Sequence, residues 1–245
     1  MKLDPVAYST FLNFLKATNH LYQDVNIQNS MFCQKADNAA IVVKADLNDI
    51  FPEPVNLQIV MIKTYIDNLD LFSSSMDLDF AVEDNWIMIE DEFTKLNIRQ
   101  ADLSLINNTF INETTLKEKI RIDREKDLLI KLELSSMILT RILKLSTSYQ
   151  STNLIFDINN DIMNIKLTSA DKNSKAVILK NIKLDKNYEI HYQLMYPIDV
   201  FHTKFDNTAD LNIYYNNDIS QTMIELVTNI KNINTTFMVK GAVIK

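Results

Sequence analysis

Lys126–Ser151 reads KDLLIKLELSSMILTRILKLSTSYQS, and it holds the two patterns that decide the fold. KDLLIKLEL is a strand, its aliphatic residues crowded into a short run. Ser135 stands where a helix N-cap belongs, and Ser136–Tyr149 follows with an apolar period of three to four residues. Projected at about 100° per residue, Ile138, Leu139, Ile142, Leu143, Leu145 and Tyr149 share one broad arc. Ser136, Thr140, Arg141, Lys144, Thr147 and Ser148 fill most of the other. From Ser135 to Ser151 there are two bases and no acid, whereas a solvated helix face usually mixes both signs as Glu and Lys four residues apart. A face free of carboxylates is compatible with a polyanion, and short hydroxyl and amide side chains beside Lys and Arg suit nonspecific phosphate contact. An ordinary polar face with few charges fits the same pattern.

Working outward, the N-terminal part repeats the theme. Pro5–Asn19 (PVAYSTFLNFLKATN) predicts a helix with proline near its start and Tyr8, Phe11, Leu12 and Leu15 inward. Ser9, Asn13, Lys16 and His20 recur on its other side, again without an acid. Two strand runs follow, NIQNSMFCQK and AAIVVKADL, parted by Ala36-Asp37-Asn38. VNLQIVMI then leads into a short helix, KTYIDNLDLFS, and MDLDFAV, Glu83-Asp84-Asn85, WIMIED and FTKLNIR close the half. In the second half NLIFDI, Asn159-Asn160-Asp161, IMNIKLTS and AVILKNIKL follow the Ser136 helix. YEIHYQLM then leads to a short helix opened by Pro197, and DLNIYY, Asn216-Asn217-Asp218, ISQTMIELV and TTFMVKGAV complete the set.

One unit of strand, helix, strand, Asn/Asp turn, strand and strand thus occurs four times, with turns centred near 37, 84, 160 and 217. INNDI at 158–162 is echoed by YNNDI at 215–219; an Asn-, Ile- and Lys-rich composition also produces such echoes. Turn spacings of 47 and 57 residues flank a gap of 76 in the middle. The excess lies in Ala101–Lys119, polar and irregular after Ile106, which reads as a linker. The expected organisation is an α+β chain of two similar domains, 1–106 and 120–245, joined by a connector at 107–119.

Composition narrows the function. The 245 residues include one glycine, Gly241, and one cysteine, Cys33. Phosphate-cradling loops, dinucleotide fingerprints and nucleophile elbows all need glycine for close backbone approach, so those enzyme classes are excluded. Asn and Asp, which tolerate left-handed backbone, must supply the turns instead. A lone cysteine forms no internal disulfide, and histidines 20, 191 and 202 show no metal-ligand spacing, so neither metal nor cofactor is expected. MKLDPVAYST lacks a signal-peptide core and no apolar run is long enough for a membrane span, which predicts a cytoplasmic protein. Net charge is −7, yet residues 1–100 carry 15 acids against 7 bases and the rest 17 against 18. Attraction to nucleic acid must therefore come from a local patch.

FLNFLKATN in the first helix, AIVVKADL, LQIVMIKTYIDNLDLFS and LELSSMILTRILKLS together give the chain a resemblance to DNA sliding clamps. The likeness is to the proliferating cell nuclear antigen type, closest to the clamps of T-even-like bacteriophages, in order, length and pattern over nearly the whole chain. What it implies is a polymerase processivity factor without catalytic activity. Two similar domains per subunit would carry antiparallel sheets outside and two helices each on the inner face, and three subunits would close a ring around double-stranded DNA. By position, Lys16, His20, Arg141 and Lys144 would face the channel, with Lys63, His202 and Lys204 beside the acids Asp67, Asp70 and Asp199. The family's partners, DNA polymerase and clamp loader, would seat short peptides on Leu103, Leu105 and Ile106, which also fit an edge strand packing on its own domain. In the host cytoplasm such a clamp would be phage-encoded, the low glycine and high Asn, Ile and Lys content suiting an AT-rich genome.

Two other classes are weighed. An enzyme would use acid pairs such as Glu90-Asp91-Glu92 or Asp77 and Asp79, but neighbours along a strand point to opposite faces. A non-encircling processivity factor, or a phage structural or interaction protein, is the stronger rival. Affinity must then replace topology, which calls for more positive charge than an acidic chain offers.

Overall fold

The computed structural model describes the chain except residues 38–39, 84, 103–110, 112–114, 116–119, 169–174 and 245, with backbone alone for 175–180, 185 and 190. It divides into two compact units, one of Met1–Leu116 with Asn229–Thr236 and one of Lys117–Thr228 with Phe237–Lys245.

In the first unit, β1 (Lys2–Leu3), β6 (Leu78–Glu83), β7 (Trp86–Glu90) and β8 (Lys95–Arg99) form an antiparallel sheet in the order β1-β6-β7-β8. β5 (Leu57–Ile59), β2 (Val25–Gln28), β3 (Met31–Lys35) and β4 (Ile41–Asp46) run side by side in a second. Helix α1 (Pro5–Thr18) starts because the Asp4 carboxylate accepts from the Val6 and Ala7 amides and Pro5 costs no hydrogen bond in the first turn. Its apolar stripe places Tyr8, Phe11, Leu12, Phe14 and Leu15 in the core. There Phe11 meets Phe51 edge-on at 5.2 Å and Phe14 meets Phe32 at 5.6 Å. Helix α2 (Ile62–Asp70) packs on α1, and the buried Tyr8 hydroxyl donates to the Leu69 carbonyl at 2.8 Å. Burial pushes that phenol above its ordinary pKa.

In the second unit, β9 (Leu128–Leu134) pairs with β12 (Ala209–Asn216), and β12 with β13 (Gln221–Ile230), all antiparallel. β10 (Asn153–Thr168) pairs along its length with β11 (Lys175–Pro197), which meets β14 (Ile233–Ile244) at Gln193–Met195. Helix α3 (Ser136–Tyr149) packs on β10, β11 and the 3₁₀ turn Asp199–His202. Leu139, Ile142 and Ser146 are its buried positions, and Ser135 Oγ caps it by accepting from the Ile138 amide.

Several boundaries depart from expectation. NIQNSMFCQK is a hairpin, β2 and β3, because Asn29 and Ser30 both take positive φ, 49° and 58°. Conversely, the chain does not reverse at Asn160. Its φ of 54° makes a bend with register shifts inside β10, matched by Asn181 at 54° in β11. AVILKNIKL and YEIHYQLM are accordingly one strand. VNLQIVMI contributes only Leu57–Ile59 before Met61 turns left-handed, and Pro197 ends β11 ahead of a 3₁₀ turn rather than opening a helix. Asn216–Asp218 is the turn expected, its Asn216 side chain accepting from the Asp218 and Ile219 amides. Gly241 serves space: its φ is not positive, and a Cβ there would lie 2.4 Å from the Tyr196 ring and 2.7 Å from the Met195 carbonyl.

Candidate nucleic-acid interface

Helices α1 and α3 are both 14 residues long and both begin directly after a capping side chain, so their positions can be aligned one for one. Tyr8 and Phe11 then correspond to Leu139 and Ile142, all buried. On the outward side Pro5, Val6, Ser9 and Thr10 correspond to Ser136, Met137, Thr140 and Arg141. Each set lines a shallow depression of its own unit. That on α3, about 580 Å³, is bounded by Ser136, Met137, Thr140, Arg141, Lys144 and Leu145. That on α1, about 470 Å³, is completed by Ser73–Met76. Neither includes a carboxylate.

The charge on the two faces differs. Arg141 and Lys144 lie one turn apart on α3, fully on its exposed side, and among the described residues neither enters an ion pair. The exposed hydroxyls in the turn after Lys144 are held down: Thr147 donates to the Leu143 carbonyl at 2.9 Å and Ser148 to that of Lys144 at 3.0 Å. His202 Nε2 sits 3.2 Å from Ser146 Oγ. Because that hydroxyl spends its proton on the Leu143 carbonyl, it must accept from His202, which places a proton on Nε2. Lys204 follows, exposed.

On the first unit, Lys16 Nζ lies 2.6 Å from Asp70 Oδ1. That hydrogen bond holds the Asp70 carboxyl below the usual carboxylate range. His20 is exposed just beyond α1, and Lys63 and Asp67 stand exposed one turn apart on α2. The acid-free reading therefore holds for α1 itself, while α2 sets Asp70 against Lys16 and carries Asp67 one turn from Lys63. The Lys16–Asp70 contact was missed in the sequence, since nothing local signals which residues two packed helices bring together. Leu103, Leu105 and Ile106 lie outside the described residues. Of the connector, Ile111 is buried and its amide donates to the Cys33 carbonyl at 2.9 Å.

Among the described residues no three His, Cys, Asp or Glu side chains are grouped to hold a metal ion, and no helix is long and apolar enough to cross a membrane.

The fold is that of the DNA sliding clamps. PCNA from Thermococcus kodakaraensis matches with a TM-score of 0.62 at 12% identity, over 99% of each chain. A DNA polymerase sliding clamp from Caulobacter crescentus matches at 0.62 and 11% identity, over 98% of this chain and 64% of that longer one. PCNA of A. fulgidus, solved with the C-terminal region of FEN-1 bound, matches at 0.58 and 13% identity, over 100% of this chain and 98% of that one. No family model and no curated protein matches the sequence.

Proposed function

We propose that this protein is a non-catalytic processivity factor, a sliding clamp of the phage kind that encircles duplex DNA and tethers polymerase to it. The observation that carries the reading is the pair of matched, carboxylate-free faces on α1 and α3 in a chain of clamp fold. Arg141 and Lys144 supply the main phosphate contacts of the second unit, with His202 and Lys204 as further candidates there; on the first unit His20 and Lys63 are the candidates, while Lys16 is engaged by Asp70. Two clamp-type domains, 1–106 and 120–245 with the connector 107–119 between, make up each subunit.

Closure is head to tail, as a homotrimer. β8 ends the four-stranded sheet of the first unit, and Lys175–Ile182 of β11 has β10 on one side, so each unit offers a strand edge for a second copy. Polymerase and clamp loader insert peptides at Leu103, Leu105 and Ile106, beside the connector; the FEN-1 segment bound to the A. fulgidus protein is in keeping with this mode.

The test is the residence time of labelled protein on a linear duplex anchored at one end. A threaded ring slides off a free end and is retained when a bulky cap is added after loading, so capping should lengthen the lifetime many-fold. Arg141→Glu with Lys144→Glu should leave folding and assembly intact while abolishing both the association and polymerase stimulation. A lifetime indifferent to the cap, or a strict monomer at micromolar concentration, replaces this reading with the non-encircling factor or the structural protein.

A further inference from the structure

We propose that Asp70 limits the grip of the first unit on DNA by holding Lys16 away from the phosphates. The inference rests on the clamp reading and adds a residue that acts against binding.

Asp70 is the last residue of α2, the helix end where carbonyl groups point outward and a negative charge is disfavoured. No basic residue lies in the last turn of α2 to offset it. The cation comes from α1, where Lys16 occupies the last turn. The Tyr8 hydroxyl on the Leu69 carbonyl fixes the end of α2 against α1, which keeps carboxylate and ammonium in register. The two side chains stay 47% and 35% exposed, so the pair sits at the surface, where a phosphate can compete for the lysine. Among the described residues, Arg141 and Lys144 on the matched face of α3 meet no such carboxylate. By count, α1 and α2 carry Lys16 and Lys63 with Asp67 and Asp70 and so have no net charge, whereas α3 carries Arg141 and Lys144 and no acid.

A clamp that must slide needs weak contacts, and each lysine engaged by a carboxylate is one phosphate contact fewer. If a phosphate displaces Asp70 from Lys16, the released carboxylate repels it. One side chain thereby removes a cation and sets an anion beside the duplex.

The experiment is a double-mutant cycle read as the salt dependence of equilibrium binding to a fluorescent 30-base-pair duplex. Asp70→Asn should bind more tightly and steepen the slope of log K against log salt by about 0.9 for each phosphate newly engaged. Lys16→Ala should change the wild-type slope little and should cancel the gain in the Asp70→Asn background. Asp70→Glu, which keeps the charge, should behave as wild type, and thermal unfolding of each variant shows that the fold is intact. Equal slopes for Asp70→Asn and wild type, or an equal effect of Lys16→Ala in both backgrounds, overturn the inference. The arms also separate the two readings. Loss of binding in Arg141→Glu/Lys144→Glu with no effect of Asp70→Asn overturns the role of Asp70 alone. Binding that survives the double charge reversal overturns the channel assignment beneath it.

Discussion

Neutralising α3 gives the most quantitative test of the interface. Arg141→Ala with Lys144→Ala removes two exposed cations and leaves the helix whole: alanine is the best helix former, both sites face solvent, and the folding change should stay within about 0.5 kcal/mol. If each side chain neutralises one phosphate, the salt slope falls by about 1.8 for every α3 in contact with the duplex. Raising salt fourfold, from about 50 to about 200 mM, then narrows the gap between wild type and variant about tenfold per engaged helix. Fluorescence anisotropy on a short duplex over a salt series reads this directly, with gel filtration alongside to show that assembly is unchanged. Parallel lines, weaker binding at an unaltered slope, would refute the reasoning, since they mean that neither side chain touches a phosphate.

Two further predictions concern the scaffold. Gly241→Ala places a methyl 2.4 Å from the ring of Tyr196, which is fully buried and donates its hydroxyl to Thr222. Either the ring or β14 must move, at an overpacking cost of about 1–3 kcal/mol, seen as a lower unfolding temperature and faster amide exchange at Phe237–Ile244 and Met195–Tyr196; an unchanged melting curve contradicts the packing. Burial tends to raise the Asp157 carboxyl, but hydrogen bonds from Lys166 and His191 outweigh it and hold the group below its ordinary value of 3.8. A depressed carboxylate stabilises the folded state above its unfolded pKa and ceases to do so as pH falls through the folded one, so Asp157→Asn should flatten the loss of stability below about pH 4 in acid titrations.

The elements legible in the sequence were those whose information is local. Tyr8, Phe11, Leu12 and Leu15 announce α1 by spacing, and Ser135 announces α3 by its place before an apolar run. The hairpin at Asn29-Ser30 was not legible, because its two turn formers sit inside a short strand-like run with no longer polar cluster to mark the reversal. Asn160 misled in the opposite sense: left-handed geometry was expected and occurs, yet it bends a strand instead of reversing it, a choice made by the pairing of β10 with β11. Lys2–Leu3, too short to carry a pattern, is a strand only because β6 lies beside it. For the interface, Arg141 and Lys144 were readable since their neighbours on the face lie within their own helix. The partner of Lys16, expected at the channel, was not legible, because Asp70 is remote in sequence and meets it only once α1 and α2 have packed.

The same asymmetry bears on what the proposed ring would contribute. If Arg141 and Lys144 are the main contacts, each subunit of the proposed trimer offers about two phosphate contacts and the ring about six, at the low end of the range where affinity falls about a thousandfold between 50 and 200 mM salt. The net charge of −7 adds a general repulsion from DNA, and beyond the Debye length of about 8 Å at physiological salt the basic patch cannot reach past it. Contacts so few and so screened would give a monomer only a weak, salt-sensitive hold on DNA. They are enough to keep a threaded ring centred while leaving each phosphate easy to exchange for the next. Retention then comes from closure of the ring and mobility from the weakness of the contacts. Strengthening the face, as Asp70→Asn is expected to do, should therefore slow diffusion along DNA without lengthening the residence time on an end-capped duplex.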